Sequence, residues 1–543
     1  MLCYRIPGAY QHAGPDLTRL VDTVLAAAPA DATQSMCFYG VGNHGGGPTR
    51  ALVKWILENR DYAPGVQLRF SSPGRYFAAL PPATSDLPLV VGELQHHAIG
   101  CYSVNAPLKR AIRAAELAAD ALPRLLHGTD PVTSGTEIAN LDDAWKTICF
   151  NQFHDILPGS SIPGATIAAL AQVGGAASQV AEQRYCILRR NPSVLACGLI
   201  GHRIHAIHPG TGEWDGLASL ELWTDWKVWN HHLVDAAGSV IPHQLIQPLS
   251  LVLEPGLRIP HLVFPLHLQP GAHLALGVRP GVPLAPPTPP SMWDGVTLAN
   301  DQVHIAFGPE GVDGVSFIAI TDDSDTWSHA RTCHEGPELG RAVFGAPVLL
   351  EDGPLLARVV LSGELHGMAV RLFAELHRHS PALRLTLEIN LTVPQVVVKA
   401  SIATAATTRR EDRVAGGWHA RALDGYEYPC HHAIRVDGSD HALGVVFPDS
   451  FAADATAEMI RITLLRNSFP ALHNCAEASL DVRPGLRQRF GTDDGPHSLG
   501  LQIVRGPAAT IATLDALVDA AQLPPVLWDD YQTGGDRLAR FDA

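Results

Sequence analysis

A histidine and an aspartate stand side by side in the segment Asn151 to Ser161, which reads Asn-Gln-Phe-His-Asp-Ile-Leu-Pro-Gly-Ser-Ser. The imidazole of His154 is a common metal ligand, and the carboxylate of Asp155 can accept hydrogen bonds from a polar substrate. A buried histidine that is hydrogen-bonded to its neighbours would produce the same pair without any chemistry. Residue type alone therefore leaves both interpretations open.

The element that positions this pair is predicted to be a helix. Leu141, Trp145 and Ile148 follow the i, i+4, i+7 spacing of one apolar helix face. Pro158 disfavours helical dihedrals at the residue before it, so the helix should end there. His154 and Asp155 are accordingly expected in its last turn, facing a pocket at the end of the element.

The whole Asn151 to Ser161 segment resembles the corresponding block of family 38 glycoside hydrolases, the zinc-dependent α-mannosidases, in their bacterial and cytosolic form. Other blocks resemble the same family in the same order along the chain. They are the glycine-rich loop Tyr39 to Thr49, the segment Gly92 to His97 with Lys109-Arg110 and Ala115-Glu116, and the carboxy-terminal segments Thr463 to Arg466 and Thr492 to His497.

This resemblance implies hydrolysis, with retention, of terminal non-reducing α-linked mannose from mannose-containing oligosaccharides, with Zn²⁺ as cofactor. It implies that His154 is a metal ligand and that Asp155 contacts substrate. His44 and Asn43 in the glycine-rich loop are further substrate-binding candidates. Asn43 stands where relatives often carry Asp, and an amide cannot donate a proton as a carboxylic acid does.

The resemblance places the catalytic nucleophile upstream of residue 1, together with a His-x-Asp metal motif that has no counterpart in this sequence. The chain is therefore expected to be inactive alone and to lack the N-terminal half of the catalytic barrel. It would act with a partner that supplies this half, or as a homo-oligomer. The alternatives are a non-catalytic carbohydrate-binding remnant and a subunit that completes a split mannosidase.

An esterase is a competing interpretation, because His44 to Gly47 also resembles an oxyanion-hole loop. Such enzymes need a Gly-x-Ser-x-Gly turn after that loop, and the sequence has none in register.

The composition limits the classes of partner and compartment. Over 543 residues the apolar fraction is 46%, the charged fraction is 17% and the net charge is −15. Without a clustered basic face this charge argues against nucleic acid or an anionic membrane as partners. Nine cysteines without a CxxC pair argue against a disulfide framework, and the amino terminus lacks the apolar core of a signal peptide, so a cytoplasmic location is predicted.

The predicted fold class is multidomain, combining α/β, α and β regions. Residues 1–75 are predicted as a remnant of the α/β catalytic barrel, 76–190 as a three-helix bundle, 191–285 as a small β-sandwich and 291–543 as a large one. In the first region a strand at Met36 to Val41 and another at Val66 to Phe70 would form a parallel pair.

Later segments have clearer periodicity. Leu108, Ile112, Ala115, Ala119 and Leu122 fall on one helix face, with Gly128 as a stop signal, and Ala165 to Arg184 is the third helix of the bundle. Asp235 to Ser239 is predicted as a hairpin turn, and proline-rich Gly281 to Pro290 as a linker. Strict alternation from Leu383 to Leu391 predicts a half-buried strand, and Ile460 to Leu464 repeats it.

Overall fold

The structure, a computed structural model, describes residues 2–30, 32–42, 46–80, 87–90, 98–125, 131–190, 199–222, 229–248, 259–281, 289–404, 406–439, 441–469 and 491–532. The chain forms two compact units, Met1–Gly92 and Glu93–Ala543. Seven α-helices and 29 strands lie in the described residues, and none of their sheets closes into a barrel. The predicted mixture of α/β, α and β regions is confirmed.

The first unit contains three helices and one small sheet. Helix α1 spans Thr18–Ala27, and α2 (Arg50–Glu58) begins after Thr49, whose hydroxyl accepts the Leu52 N–H at 3.2 Å as an N-cap. Strands β1 (Asp61–Ala63) and β2 (Val66–Gln67) pair antiparallel, and α3 (Pro73–Ala78) follows.

The predicted parallel pair in this unit is wrong. Met36 to Val41 forms no strand, and the Val41 N–H instead donates to the Gly47 carbonyl at 3.0 Å. Of the strand predicted at Val66 to Phe70, only β2 forms, and it pairs antiparallel with β1 in a hairpin. A parallel strand needs a neighbour of the same direction, and a short apolar run carries no information about whether that neighbour exists.

Three long helices form a bundle in the second unit: α4 (Ala106–Leu125), α5 (Pro131–Asn151) and α6 (Pro163–Arg190). The predicted face of α4 is buried throughout, from Leu108 to Leu122, and it packs against Ile148 of α5 and Val180 of α6. The apolar stripe is therefore core, as predicted. The stop predicted at Gly128 lies outside the described residues.

A small sandwich follows the bundle. Its strands are β3 (Gly201–Ile207), β4 (Trp214–Glu221), β5 (His231–Val234), β6 (Val240–Ile241), β7 (Gln244–Ile246), β8 (His261–Leu268) and β9 (His273–Pro280). Sheets β3-β9-β5-β6 and β4-β8-β7 share one apolar core that includes Leu233, Phe264 and Leu276. The hairpin predicted at Asp235 to Ser239 joins β5 to β6 and is confirmed. Most of the predicted linker Gly281 to Pro290 lies outside the described residues.

The large sandwich contains strands from β10 onward. They are β10 (Thr297–Ala299), β11 (His304–Gly308), β12 (Gly311–Val312), β13 (Val315–Thr321), β14 (Glu338–Arg341), β15 (Val343–Phe344), β16 (Val348–Asp352), β17 (Leu356–Leu365), β18 (Met368–His377), β19 (Ala382–Leu391), β20 (Val396–Ala403), β21 (Arg409–Val414), β22 (Gly417–Arg421), β23 (Tyr428–Pro429), β24 (Ala433–Asp437), β25 (Ala442–Val446), β26 (Ala452–Ala455), β27 (Met459–Asn467) and β28 (Gly495–Arg505).

Two antiparallel sheets of this sandwich enclose the main core of the protein. One has six strands in the order β14-β13-β20-β27-β26-β23, and the other has ten, with β19 and β28 at its centre. Leu383, Leu385, Leu387, Ile389 and Leu391 of β19 are all buried, so the predicted alternation is confirmed. In β27 both faces become buried after Arg461, because Ile462 and Leu464 pack in the apolar core while Thr463 and Arg466 hydrogen-bond to Glu427 and Asp322.

The chain then returns to the small sandwich. Helix α7 (Ile511–Gln522) covers β24 and β25 with Leu514 and Val518, and β29 (Val526–Gln532) pairs antiparallel with β3. Asp530 of β29 accepts hydrogen bonds from Arg203 at 2.7 Å and is 3.1 Å from the ring of His205, two residues that are otherwise buried. No sequence pattern predicted this return. Among the described residues, no helix has the length and apolarity that crossing a membrane requires.

A buried ion triad crosses the six-stranded sheet. The Lys399 ammonium donates to the carboxylates of Glu427 and Asp454, both at 2.5 Å, and none of the three side chains is more than 1% exposed. Without the lysine, Glu427 would lose its cation, whereas Asp454 would keep the guanidinium of Arg461, whose Nε donates to it at 2.7 Å.

We expect Lys399→Met to lower the free energy of unfolding by about 3 to 5 kcal/mol, because buried Glu427 loses its cation and buried Asp454 loses one of two. The measurement is urea unfolding of the sandwich, followed by tryptophan fluorescence. Lys146→Met is the matched control, since that side chain is 68% exposed on α5, and it should change stability by no more than about 0.5 kcal/mol. Equal effects of the two substitutions would contradict the interpretation.

Candidate functional site

His154 and Asp155 lie on a turn that follows the end of α5. The helix ends at Asn151, so the prediction that both residues belong to its last helical turn is wrong. The turn closes on itself, because the Leu157 N–H donates to the Phe153 carbonyl at 3.1 Å and the Gly159 N–H to the Ile156 carbonyl at 2.8 Å. Pro158 therefore shapes this turn rather than the end of the helix.

Both side chains of the pair are accessible to solvent. The exposed fraction is 77% for His154 and 54% for Asp155, and the His154 Nε2 lies 3.7 Å from the Asp155 Oδ2. This distance is too long for a hydrogen bond. The ring of Phe153, itself 52% exposed, lies against the imidazole with 4.1 Å between centroids. The pair is thus not a buried, mutually satisfied structural contact, and its polar atoms are free to meet a ligand.

The two candidates in the glycine-rich loop cannot be located relative to this pair. Asn43 and His44 both lie outside the described residues. Across the described parts of the chain, no group of three or more His, Cys, Asp or Glu side chains is arranged to hold a metal ion. His154 is therefore a single imidazole with one neighbouring carboxylate, whereas zinc is usually held by three or four protein ligands.

A buried lysine fixes the backbone of this turn through hydrogen bonds. The Lys109 ammonium donates to the carbonyls of Val104 at 2.7 Å, Leu157 at 3.1 Å and Pro158 at 2.8 Å. The residue is only 6% exposed. Burial lowers the pKa of its ammonium from 10.5 to about 8. Because all three donors of the ammonium are used, this one side chain connects the start of α4 to the turn that carries His154.

Asn105 and Asp493 complete what we call the anchoring cluster, defined as Asn105, Lys109 and Asp493. The Asn105 side-chain amide donates to the Gly159 carbonyl at 2.5 Å. The Asp493 carboxylate accepts the N–H groups of Asn105 at 3.0 Å and Ala106 at 2.8 Å, which are unpaired donors at the start of α4. Burial raises the pKa of the Asp493 carboxyl from 3.8 to about 6.

The cluster joins sequence blocks that are far apart. Asp493 follows Thr492, whose hydroxyl donates to the Arg466 carbonyl at 2.8 Å, and the Arg466 Nε donates to Asp322 at 2.7 Å. The carboxy-terminal segments Thr463 to Arg466 and Thr492 to His497 are thus connected to the start of α4 and, through the anchoring cluster, to the turn after α5. Lys109 and Asp493 lie in segments that resemble the family, but the sequence indicated neither their role nor Asn105, because the contact of Asn105 with Asp493 spans 388 positions.

Comparison with known proteins agrees with these observations. Residues 96–185, which include the candidate pair, match the family described as the α-mannosidase middle domain. The chain is 36% identical over 130 residues to "Alpha-mannosidase G" of Dictyostelium discoideum and 34% identical over 145 residues to "Alpha-mannosidase 2C1" of Homo sapiens. These alignments cover 24% of this chain and only 12% and 13% of the respective relatives.

Two solved structures from Enterococcus faecalis have a similar fold. An α-mannosidase from strain V583 superposes with a TM-score of 0.69 at 13% identity, over 90% of this chain and 65% of that one. A protein in glycosyl hydrolase family 38 gives 0.70 at 13% identity, over 96% and 68%. The resemblance to family 38 α-mannosidases that the sequence motifs predicted is confirmed.

We expect Gly159→Ala to destabilise the turn. Gly159 has a φ of +79°, and a Cβ there would lie 2.6 Å from the Val104 carbonyl oxygen, so the local cost should be about 1 to 3 kcal/mol. Amide hydrogen exchange across residues 152–166 measures it. Gly164→Ala is the matched control: its Cβ would enter open space at the start of α6, and it should be neutral or stabilise by up to about 1 kcal/mol. Equal exchange in both variants would contradict this view of Gly159.

The anchoring cluster also predicts a pH dependence. The folded-state pKa of Asp493 is raised from 3.8 to about 6, so its stabilising contribution is complete below the unfolded value and is lost as the pH rises through the folded one. About 2 pKa units correspond to about 3 kcal/mol. Lys109 stays protonated in this range, since its pKa is about 8. Relative to Asp493→Asn, the wild-type protein should lose stability in urea unfolding between about pH 4 and about pH 7. Parallel profiles would show that Asp493 does not titrate in this way.

Proposed function

We propose, from the resemblance to family 38 α-mannosidases, that this protein takes part in hydrolysing terminal non-reducing α-linked mannose from oligosaccharides. The proposal includes retention of configuration and dependence on Zn²⁺. One observation carries it: the α-mannosidase middle-domain match extends over residues 96–185 and thus includes an exposed His154 beside Asp155. The curated relatives are named α-mannosidases, and the chain aligns with about an eighth of their length.

The exposed imidazole fits the role of a zinc ligand. His154 would bind the ion through a ring nitrogen, since histidine nitrogen is a favoured zinc donor and this ring is 77% exposed. Zinc, when bound, would supply a template for sugar hydroxyls and a positive charge near the reacting centre. The remaining ligands are proposed to come from outside the described residues, because a single imidazole would bind zinc weakly.

Asp155 is proposed to accept hydrogen bonds from hydroxyl groups of the bound mannose. Its carboxylate is 54% exposed and 3.7 Å from the imidazole, so it could reach a sugar beside His154. The anchoring cluster would keep both side chains in place, since Lys109 and Asn105 hold the backbone from Leu157 to Gly159. Orientation of this kind matters for rate, because a misplacement of about 1 Å can cost about a hundredfold.

Retaining hydrolysis also requires two carboxyl groups about 5 Å apart, one as nucleophile and one as acid/base. We assign neither role to a residue of this chain. The chain is therefore proposed to contribute a metal ligand and a substrate contact to a site that other residues complete.

A carbohydrate-binding subunit without catalytic activity is the second candidate. The observation that favours it is the lack of any group of three potential metal ligands among the described residues. Such a subunit would use Asp155 and the exposed ring of Phe153 to hold a sugar, and it would not depend on zinc.

The test measures zinc content and turnover of 4-nitrophenyl α-D-mannoside. The proteins are the purified chain, a version extended into the upstream reading frame, and the extended version with His154→Ala or Asp155→Asn. We expect turnover by the extended version only. His154→Ala should weaken zinc binding by more than about tenfold, or about 1.4 kcal/mol, and Asp155→Asn should lower kcat/KM with zinc retained.

His441→Ala is the matched control, because His441 is exposed on the large sandwich, and it should change neither zinc content nor turnover. Turnover by the chain alone would contradict the proposal that other residues complete the site. If no version binds zinc or cleaves the substrate, the mannosidase proposal is wrong and the carbohydrate-binding subunit remains.

A further inference from the structure

A cleft of about 130 Å³ lies between α4, the loop from β3 to β4, and the end of α7. It belongs entirely to the second unit. Arg113 and Arg124 line it from α4, His208 and Trp214 from the strands and their loop, and Gln522 from α7. The cleft has room for several ordered waters or for one edge of a sugar ring with its hydroxyls.

Three residues of this lining each carry one side-chain nitrogen that has no hydrogen-bond partner in the protein. These atoms are the Nδ1 of His208, the Nε1 of Trp214 and the Nε2 of Gln522, and each is itself buried. His208 is 4% exposed and Trp214 is 7% exposed. A buried polar atom without a partner costs about 1 to 3 kcal/mol, so a cleft with three of them is a site where a ligand would recover free energy.

The chemistry of the three atoms is fixed by their neighbours. His208 Nε2 is 2.9 Å from the Gly212 carbonyl, which can only accept, so Nε2 carries the hydrogen and Nδ1 is an acceptor. Burial lowers the pKa of His208, which keeps the ring neutral. The Gln522 Oε1 accepts from Arg113 at 3.1 Å, so its Nε2 is a donor, and the indole of Trp214 can only donate.

The charged groups around the cleft are already paired. Arg113 contacts Glu116 at 3.2 Å, Arg124 contacts Asp120 at 3.0 Å, and Asp519 accepts from Arg413 at 3.4 Å. Glu213 accepts from Gln269 at 3.0 Å. A charged ligand would have to break one of these pairs, whereas a neutral ligand would use only the two free donors and the one free acceptor.

We propose that this cleft binds a neutral polyhydroxylated ligand, specifically one hexose unit of a glycan. A hydroxyl group both donates and accepts, so adjacent ring hydroxyls can satisfy His208 Nδ1, Trp214 Nε1 and Gln522 Nε2 together. The choice of a hexose rests on the proposed function, whereas the preference for neutral hydroxyl groups follows from the lining alone. A site that holds one edge of a sugar gives a dissociation constant on the order of millimolar.

The cleft is linked to the candidate site by a series of contacts. Arg113 bridges Gln522 to Glu116, and Glu116 accepts a hydrogen bond from Gln152, two residues before His154. The experiment must therefore separate sugar bound in the cleft from sugar bound beside His154.

Saturation-transfer difference NMR with methyl α-D-mannopyranoside, titrated into the full chain, tests the proposal. We expect binding to the wild type and to His154→Ala alike. Trp214→Phe removes the N–H donor together with one ring of the indole, and should weaken binding by about threefold to tenfold. Thr211→Trp, which fills the mouth of the cleft from an exposed loop position, should abolish it. Trp293→Phe is the matched control, on the large sandwich, and should bind as the wild type does.

Cyclohexanol, a ring with one hydroxyl, should give no saturable binding, because one group cannot satisfy three atoms. No saturation transfer from the mannoside to the wild type would overturn the proposal and leave the cleft to ordered water. Binding that is lost in His154→Ala but kept in Thr211→Trp would also overturn it, and would instead support a sugar site beside His154. If the cleft binds the mannoside but no version has mannosidase activity, the proposed function is wrong, and the proposal that the cleft is a saccharide site is retained.

Discussion

The ammonium of Lys109 is the interaction on which the candidate site depends. A charged donor inside a protein is stable only if its hydrogen-bonding capacity is used, and here three carbonyls use all of it. Two of those carbonyls belong to the turn after α5, where the backbone no longer has helical partners. The lysine thus replaces the hydrogen bonds that a continuing helix would have made, and it does so at fixed positions. The exposure of His154 and Asp155 follows, because the buried side of the turn is already occupied.

The parts of the fold with regular periodicity could be predicted from the sequence. The stripe from Leu108 to Leu122 and the alternation from Leu383 to Leu391 are local patterns, and burial of one face is enough to explain each of them. Met36 to Val41 looked equally apolar but has no neighbouring strand, and no local pattern could show this. The end of α5 was predicted too late in the chain for a related reason. Pro158 is visible in the sequence, but the hydrogen bonds from Lys109 to the backbone of the following turn are not.

The candidate site, too, could be predicted from the sequence only in part. His154 and Asp155 were found because they are adjacent and lie in a segment that resembles a known block. The anchoring cluster was not found, because its contacts join α4 to residues nearly four hundred positions later. The three unpaired side-chain nitrogens come from the loop after β3, from β4 and from α7, and no local sequence pattern brings them together. Local sequence identifies groups that can do chemistry, and tertiary contacts decide which of them are held, paired or left open.

The pairing of β29 with β3 has a consequence for how the polypeptide is made. On a ribosome, β3 emerges more than three hundred residues before the strand that covers its edge. During that interval the nascent chain carries an unpaired strand edge, together with Arg203 and His205, whose partner Asp530 has not yet been synthesised. The small sandwich can therefore reach its final form only after the large one has been translated. Until then the free edge of β3 would be open to wrong pairing or to binding by a chaperone.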